Sequence, residues 1–301
     1  MHLKIDPEVR RALQGKHPVV ALESTIITHG MPYPENLATA RSLESQVRAG
    51  GAVPATIAVI GGVICVGLSD KELEWLASAK NVLKLSRNDL PYAIATQKIG
   101  ATTVAATMIA AHLAGIKVFA TGGIGGVHLG AETSFDISAD LEELARTPVA
   151  VVCAGAKAIL DLPKTLEYLE TRGVPVIGYG VDEFPAFWSR QSGLKAPLRL
   201  DTPAEIARFL EIKWSLNLGG GAIICNPVPA TDEIPFHEMR TFIDSAVEEA
   251  ERYGIKGKAV TPYILARIVE LTGGRSLRTN MALAQNNAHL AAEIAAHLQS
   301  L

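Results

Sequence analysis

Three charged residues stand where the surrounding sequence is almost wholly apolar: Glu23, Lys84 and Lys157. Glu23 lies within Val19-Val20-Ala21-Leu22-Glu23-Ser24-Thr25-Ile26-Ile27. A carboxylate inside a buried strand is costly unless it is paired or protonated, and a carboxyl that holds its proton can serve as a general acid. A partly exposed, salt-bridged strand residue is the alternative. Lys157 closes the apolar and glycine-containing stretch 149–156, where a strand should turn into a helix. In a dry pocket a neutral lysine is a nucleophile able to form an imine. A surface lysine at a helix start fits the local pattern as well. Lys84, in Val82-Leu83-Lys84-Leu85, alternates onto either a solvated face or a ligand.

Other polar residues gather around the same segments. Gly100-Ala101-Thr102-Thr103-Val104 opens an apolar helix whose free N–H groups and dipole favour an anion, unless a threonine merely caps it. With Lys84 this makes a candidate phosphate site. His128 follows Gly122-Gly123-Ile124-Gly125-Gly126, a segment that suits either close approach to a ligand or a tight turn. Asp136 and Asp140 flank Ser138. They suit a hard divalent ion held through one oxygen and waters, or a helix cap, since Asp140 and Glu143 have capping-box spacing. His29 starts a loop, where packing and catalysis are equally open.

The elements that must position these residues follow an alternating pattern. Strands are expected over 18–27, 82–85, 118–121, 149–153, 174–177 and 222–225, and a hairpin over 55–60 and 63–68 about Gly61-Gly62. Helices are expected over 35–49, from Ser69, and over 102–113, 140–146 and 162–171. Thr202-Pro203-Ala204-Glu205 is a strong helix start, and the chain reads as helical from Phe236 onward with breaks near Gly254 and Gly273. Apolar strands alternating with helices predict an α/β fold, three layers α/β/α with a mixed, mainly parallel central sheet. In such sheets ligands collect at the carboxyl ends of the strands.

Composition narrows the function classes. The chain has 301 residues and a net charge of −3 from 28 basic and 31 acidic residues, which excludes a strongly basic nucleic-acid binder. Aromatic residues make up 5%, too few for a base-stacking surface. The longest apolar stretch, 57–68, is shorter than the ~18 residues that a spanning helix needs. The N-terminus lacks the apolar run of a signal peptide, so a cytoplasmic enzyme or binding protein is expected, without membrane or nucleic-acid partners. Cys65, Cys153 and Cys225 sit far apart in apolar runs and read as buried reduced thiols. Without a linker or repeat, 1–301 is expected to form a single domain. Gly123-Ile124-Gly125-Gly126-Val127-His128 departs from a dinucleotide fingerprint, and neither a Walker loop nor a G-x-S-x-G elbow occurs.

Taken in order, several segments resemble the indigoidine synthase A-like family, also known as the pseudouridine-5′-phosphate glycosidase family, from about Pro18 to Ala295. They are Ala21-Leu22-Glu23-Ser24-Thr25-Ile26-Ile27-Thr28-His29-Gly30-Met31-Pro32, Gly100-Ala101-Thr102-Thr103-Val104, Thr121-Gly122-Gly123-Ile124-Gly125-Gly126-Val127-His128, Phe135-Asp136-Ile137-Ser138-Ala139-Asp140 and Cys153-Ala154-Gly155-Ala156-Lys157. Asn226-Pro227-Val228-Pro229 and Thr272-Gly273-Gly274 with Asn280 add to them. Leu129 departs from the arginine expected in many relatives. The resemblance implies reversible C–C cleavage of pseudouridine 5′-phosphate to uracil and ribose 5-phosphate, with a divalent metal, typically Mn2+, and a homotrimeric assembly. It implies Glu23 as proton donor, Lys157 as nucleophile and Asp136 as metal ligand. It further implies that Lys84, Thr103, Val104, Ser138, Ala139 and Asp140 contact substrate, with His128 and Asn280 as further pocket residues. A fused sugar kinase domain, present in some relatives, is not expected after the matched region. Two other readings keep part of this set: a Schiff-base lyase or aldolase acting on another sugar phosphate, and a non-catalytic phosphate-sugar binding protein.

Overall fold

The computed structural model describes residues 2–255 and 259–301. In the first half, β1 (Leu3–Ile5), α1 (Pro7–Gln14), β2 (Val19–Leu22), α2 (Thr25–Thr28) and α3 (Glu35–Ala49) precede the hairpin of β3 (Val53–Ile60) and β4 (Val63–Val66). Then come α4 (Asp70–Ser78), β5 (Leu83–Leu85), α5 (Leu90–Ala95), β6 (Gly100–Thr102), α6 (Val104–Ala114) and β7 (Val118–Ala120). The second half holds α7 (Ala131–Ser134), α8 (Ala139–Arg146), β8 (Ala150–Cys153), α9 (Leu162–Thr171), β9 (Val176–Tyr179) and β10 (Leu198–Leu200). It ends with α10 (Pro203–Ser215), β11 (Ala222–Cys225), α11 (Phe236–Arg252), α12 (Val260–Leu271) and α13 (Arg275–Gln299).

The strands form one mixed sheet in the order β1-β4-β3-β2-β7-β8-β11-β9-β10, with β6 on β3 and β5 on β6. Among the described residues these strands pair in parallel except for β3 with β4 and β3 with β6. β3 is the branch point. Its first half pairs in parallel with β2, from Val53↔Val19 to Thr56↔Leu22. Its second half turns to β4 and β6. Helices lie on both sides of the sheet, as the alternation of apolar strands and helices requires. On one side α13 packs on β2, β7 and β8 and is flanked by α3 and α10, while α6, α8 and α9 pack in series. β2, β7, β8 and β11 are buried throughout, which is why their sequences read as continuous apolar runs rather than alternating ones.

The helix starts follow local chemistry. Ser69 and Glu72 form a reciprocal capping box on α4, and Thr202 and Glu205 form another on α10 with Pro203 in its first turn. The three cysteines are free and buried. No helix among the described residues is long and apolar enough to cross a membrane.

Three expected boundaries move, and each move concerns the site. β2 stops at Leu22, so Glu23 lies between a strand and the short helix α2 rather than inside a ladder. The apolar run that follows it is helical because Ile26 and Ile27 pack beside α3 and α4. The segment 100–102 is the strand β6, and α6 begins only after it. Lys157 precedes no helix directly: the chain from 154 to 161 runs on irregularly to α9.

Candidate active site

The parallel register of β2, β7 and β8 places Leu22 beside Ala120 and Ala120 beside Val152. The residues that leave these strands at their carboxyl ends therefore emerge together, and they include Glu23, Thr121 and the run to Lys157. Beyond the strands the ladder continues as irregular backbone. Ala154 N–H donates to Gly122 O (2.9 Å), Ile124 N–H to Gly155 O (3.1 Å) and Lys157 N–H to Ile124 O (3.1 Å). This zipper is possible because Gly155 adopts φ +84° and a Cβ there would lie 2.2 Å from Pro185 O. It fixes the backbone of Lys157 against the 122–126 segment.

A cavity of about 330 Å³ opens at this end of the sheet. Glu23, Lys157, Lys84, Thr103, Val104 and His128 line it, as do Asp136, Ser138, Ala139 and Asp140. A narrower space of about 90 Å³ adjoins it and shares Glu23, Thr25, Lys84 and Lys157 with it. Asn280 lies in this second space, among Ile26, Met31, Phe187, Leu265 and Leu283. Asn280 Oδ1 is buried and has no hydrogen-bond partner among the described residues. All the residues singled out in the sequence as acid, nucleophile, metal ligand or substrate contact thus border one two-part cavity. Lys84, on β5, faces this interior rather than a solvated surface.

Glu23 is half-buried, and both its oxygens accept hydrogen bonds: Oε1 from Thr121 Oγ1 and Oε2 from Thr25 Oγ1. The start of α2 is anchored by Ser24, whose Oγ accepts from Thr102 N–H (2.9 Å), while Thr102 Oγ1 donates to Ile57 O (2.8 Å). Sequence reading did not single out Thr25 and Thr121, although one follows Glu23 closely and the other precedes the glycine segment. Ser86, Asn88, Thr261 and Phe187 also line the cavity without a local pattern that marks them.

Asp140 does not cap α8, the alternative that its spacing with Glu143 leaves open. Ser138 caps α8, its Oγ accepting from Asp140 N–H (3.2 Å). The Asp140 carboxylate, buried, accepts instead from Ala105 N–H (2.9 Å, Oδ1) and Gly125 N–H (2.9 Å, Oδ2). Gly125 permits this contact, because a Cβ there would sit 2.2 Å from Ser138 Oγ and 2.8 Å from Asp140 Oδ2. Part of the anion-binding capacity at the start of α6 is therefore spent on Asp140, and Ala106 N–H turns to Thr103 Oγ1. Glu143 does not complete a capping box either. It is buried and pairs with Arg87 (Nε–Oε2 2.6 Å), tying the 86–89 loop to α8. Asp140→Ala would leave two inward-facing N–H groups without an acceptor, so a loss of roughly 2–4 kcal/mol is expected in urea unfolding. Unchanged stability would show that other groups hold the junction.

Burial dominates the electrostatics of the two nearby histidines, with the lysines adding to it. His128 is pushed below the usual imidazole range mainly by burial, with the charges of Lys157 and Lys84 acting in the same direction and Asp136 opposing. Burial does the same to His29, again with Lys84 contributing. Both imidazoles are thus favoured as neutral rings that can accept a proton. His29 Nδ1 lies 2.6 Å from Thr28 Oγ1.

Asp136 is carried by the antiparallel bridge Val127↔Ile137, and its carbonyl accepts from His128 N–H (3.0 Å). Among the described residues no three His, Cys, Asp or Glu side chains gather into a closed metal cage. With Asp140 engaged by backbone amides and Glu23 by two threonine hydroxyls, Asp136 is the cavity-wall carboxylate placed to meet an ion. That fits a hard, largely hydrated divalent ion and not a tetrahedral zinc site.

The family model described as "Indigoidine synthase A like protein" matches residues 8–297. A pseudouridine-5′-phosphate glycosidase of Solibacter usitatus is 94% identical over 299 residues, covering 99% of this chain and 100% of the relative. One of Methylobacterium nodulans is 65% identical over 297 residues, covering 99% and 88%. Among solved structures, the prealnumycin C-glycosynthase AlnA in complex with ribulose 5-phosphate superposes with TM-score 0.92 at 40% identity, covering 99% and 97%. An indigoidine synthase A-like protein of Thermotoga maritima gives TM-score 0.89 at 35% identity, covering 99% and 96%.

Proposed function

The chain belongs to the indigoidine synthase A-like family, its reaction is the reversible cleavage of the C–C glycosidic bond of pseudouridine 5′-phosphate to uracil and ribose 5-phosphate, and we propose that Glu23 and Lys157 carry it out. The observation that supports this assignment is the meeting of Glu23, Lys84 and Lys157 on the shared wall of the two spaces. The wider space suits a polar sugar phosphate. The narrower, more apolar space with Asn280 suits a flat pyrimidine, whose N–H and carbonyl edge an amide can match.

The leaving group explains the need for a nucleophile. C1′ is bonded to carbon C5 of uracil, so no ring nitrogen can simply be protonated and expelled. A covalent route divides the barrier. Glu23 gives its proton to the ribose ring oxygen, and the C1′–O bond opens with its electron pair going to that oxygen. The neutral amine of Lys157 adds at C1′. The added nitrogen sheds a proton and uracil C5 takes one up in its place, the nitrogen lone pair forms C1′=N, and the C1′–C5 pair returns to the pyrimidine ring. Water hydrolyses the imine and releases ribose 5-phosphate. Lys84 and the Thr103–Val104 start of α6 hold the phosphate, while Ser138 and Asp140 border the sugar. Phosphate binding remote from C1′ positions the reacting carbon.

Asp136 would hold one Mn2+ or similar ion per subunit, with water completing its shell. When bound, such an ion supplies positive charge that orients substrate oxygens. A homotrimer, which the family resemblance implies, and a cytoplasmic location belong to the same proposal. Light scattering of the purified chain tests the assembly.

Incubation with pseudouridine 5′-phosphate and Mn2+ is expected to release uracil, while uridine 5′-phosphate is left intact. Cleavage of the N-glycoside alone would make the chain an ordinary nucleosidase. Asp136→Ala is expected to raise the Mn2+ concentration for half-maximal rate roughly tenfold or more, since even groups behind a ligand commonly cost that much. An unchanged manganese response would move the ion elsewhere.

A further inference from the structure

The two hydroxyls on Glu23 are not equivalent. Thr25, which donates to Oε2, borders both parts of the cavity. Thr121, which donates to Oε1, is 5% exposed and borders neither. Its main chain is tied on two sides. Its N–H donates to Val152 O (3.0 Å), and its carbonyl accepts from Asn287 Nδ2 (2.8 Å). Asn287, on α13, is fully buried, and its Oδ1 accepts from Asn226 Nδ2 (3.1 Å). Asn226 in turn donates its N–H to Cys153 O (2.8 Å). A continuous polar chain thus runs through an apolar core from β11 and α13 to one oxygen of Glu23.

Buried amides are tolerated when their hydrogen bonds are made, and a satisfied buried network fixes one geometry. Here the geometry that is fixed is that of Thr121. A threonine anchored at both backbone groups holds its hydroxyl in place and keeps Oε1 at the back of the site. Oε2 is left on the cavity side, beside a hydroxyl that can turn from donor to acceptor once Oε2 carries a proton.

We propose that Thr121, braced by Asn287, is a positioning residue that aims Glu23 so that Oε2 delivers the proton. The inference rests on the role given to Glu23 above. Thr121→Val keeps the shape and removes the donor; Thr121→Ser keeps the donor. For Thr121→Val, kcat on pseudouridine 5′-phosphate is expected to fall about 10- to 100-fold with KM within about twofold, because the substrate contacts remain and only the aim of the acid is lost. Thr121→Ser should restore most of kcat. Borohydride trapping of ribose 5-phosphate on Lys157 should persist in Thr121→Val, since an open-chain aldehyde needs no ring opening by Glu23. A Thr121→Val enzyme with undiminished kcat, a Thr121→Ser enzyme equally slow, or loss of trapping together with kcat would each overturn the positioning role. Absence of trapping in the unsubstituted enzyme would instead overturn the lysine chemistry on which it stands.

Discussion

Lys157→Ala is expected to abolish uracil release, lowering the rate by on the order of 10⁴-fold or more, because removal of a covalent nucleophile leaves only binding and positioning. The fold should survive. The contact that places residue 157 is main-chain, from its N–H to Ile124 O, and alanine retains it. Thermal unfolding close to that of the unsubstituted protein would confirm this. The second readout is covalent. Borohydride reduction in the presence of ribose 5-phosphate should add a pentose-phosphate mass to the peptide holding Lys157, and to no peptide of the alanine variant. Lys157→Arg is the more demanding comparison, since it keeps a positive charge near the wall shared with Lys84 but cannot form the imine. Turnover by the arginine variant would show that position 157 contributes charge and not a bond. Trapping on Lys84 instead, which lines the same cavity, would transfer the nucleophile's role to that residue.

The comparison of Lys84 with Lys157 also shows what the sequence could reveal. Both were conspicuous as charges in apolar surroundings, and both border the cavity. Their surroundings were legible because buried strands in parallel sheets read as unbroken apolar runs, as at β8 and β11. Helix starts with strong local chemistry were legible for a similar reason: Thr202 and Glu205 decide theirs within four residues. Glu23 was placed correctly in space but wrongly in a strand. Val19–Ile27 is apolar at both ends, and nothing local in Glu23-Ser24-Thr25 tells a polar stretch of strand from a turn; packing of Ile26 and Ile27 beside α3 and α4 bends the chain there. β6 was missed because three residues carry too little periodicity, and its pairing with β3 comes from a distant part of the chain. Phe187 had no pattern at all. It adopts φ +58°, a conformation that bulky residues avoid, and it is buried against the glycine segment by long-range contacts. Asp140 borders the cavity, but its local task is open in the sequence between cap and ligand, since capping-box spacing cannot reveal that Ala105 and Gly125 from other elements compete for its oxygens.

Glu23→Gln separates proton delivery from the rest of the machinery. The side chain keeps its length, and its carbonyl oxygen can still accept from one threonine hydroxyl. The amide nitrogen would face the other, whose hydroxyl can turn to accept. What the variant lacks is an oxygen that can carry and release a proton. A loss of about 10²- to 10⁴-fold in pseudouridine 5′-phosphate cleavage is therefore expected, the range typical of general acid–base groups. Binding should change little, because the proposed phosphate contacts, Lys84 and the start of α6, are unaltered in the variant. The decisive contrast lies between two substrates. Pseudouridine 5′-phosphate presents a closed ring that must be opened by a proton, whereas ribose 5-phosphate supplies some free aldehyde by itself. Glu23→Gln should therefore fail on the first and still be trapped at Lys157 with the second. Lys157→Ala should fail on both. If Glu23→Gln cleaved at the full rate, ring opening would need no acid at this position. If it lost trapping as well, Glu23 would act on the lysine and not on the ring oxygen. The pair of variants thus assigns each residue to one bond: Glu23 to the C1′–O bond that opens, and Lys157 to the C1′–C5 bond that breaks.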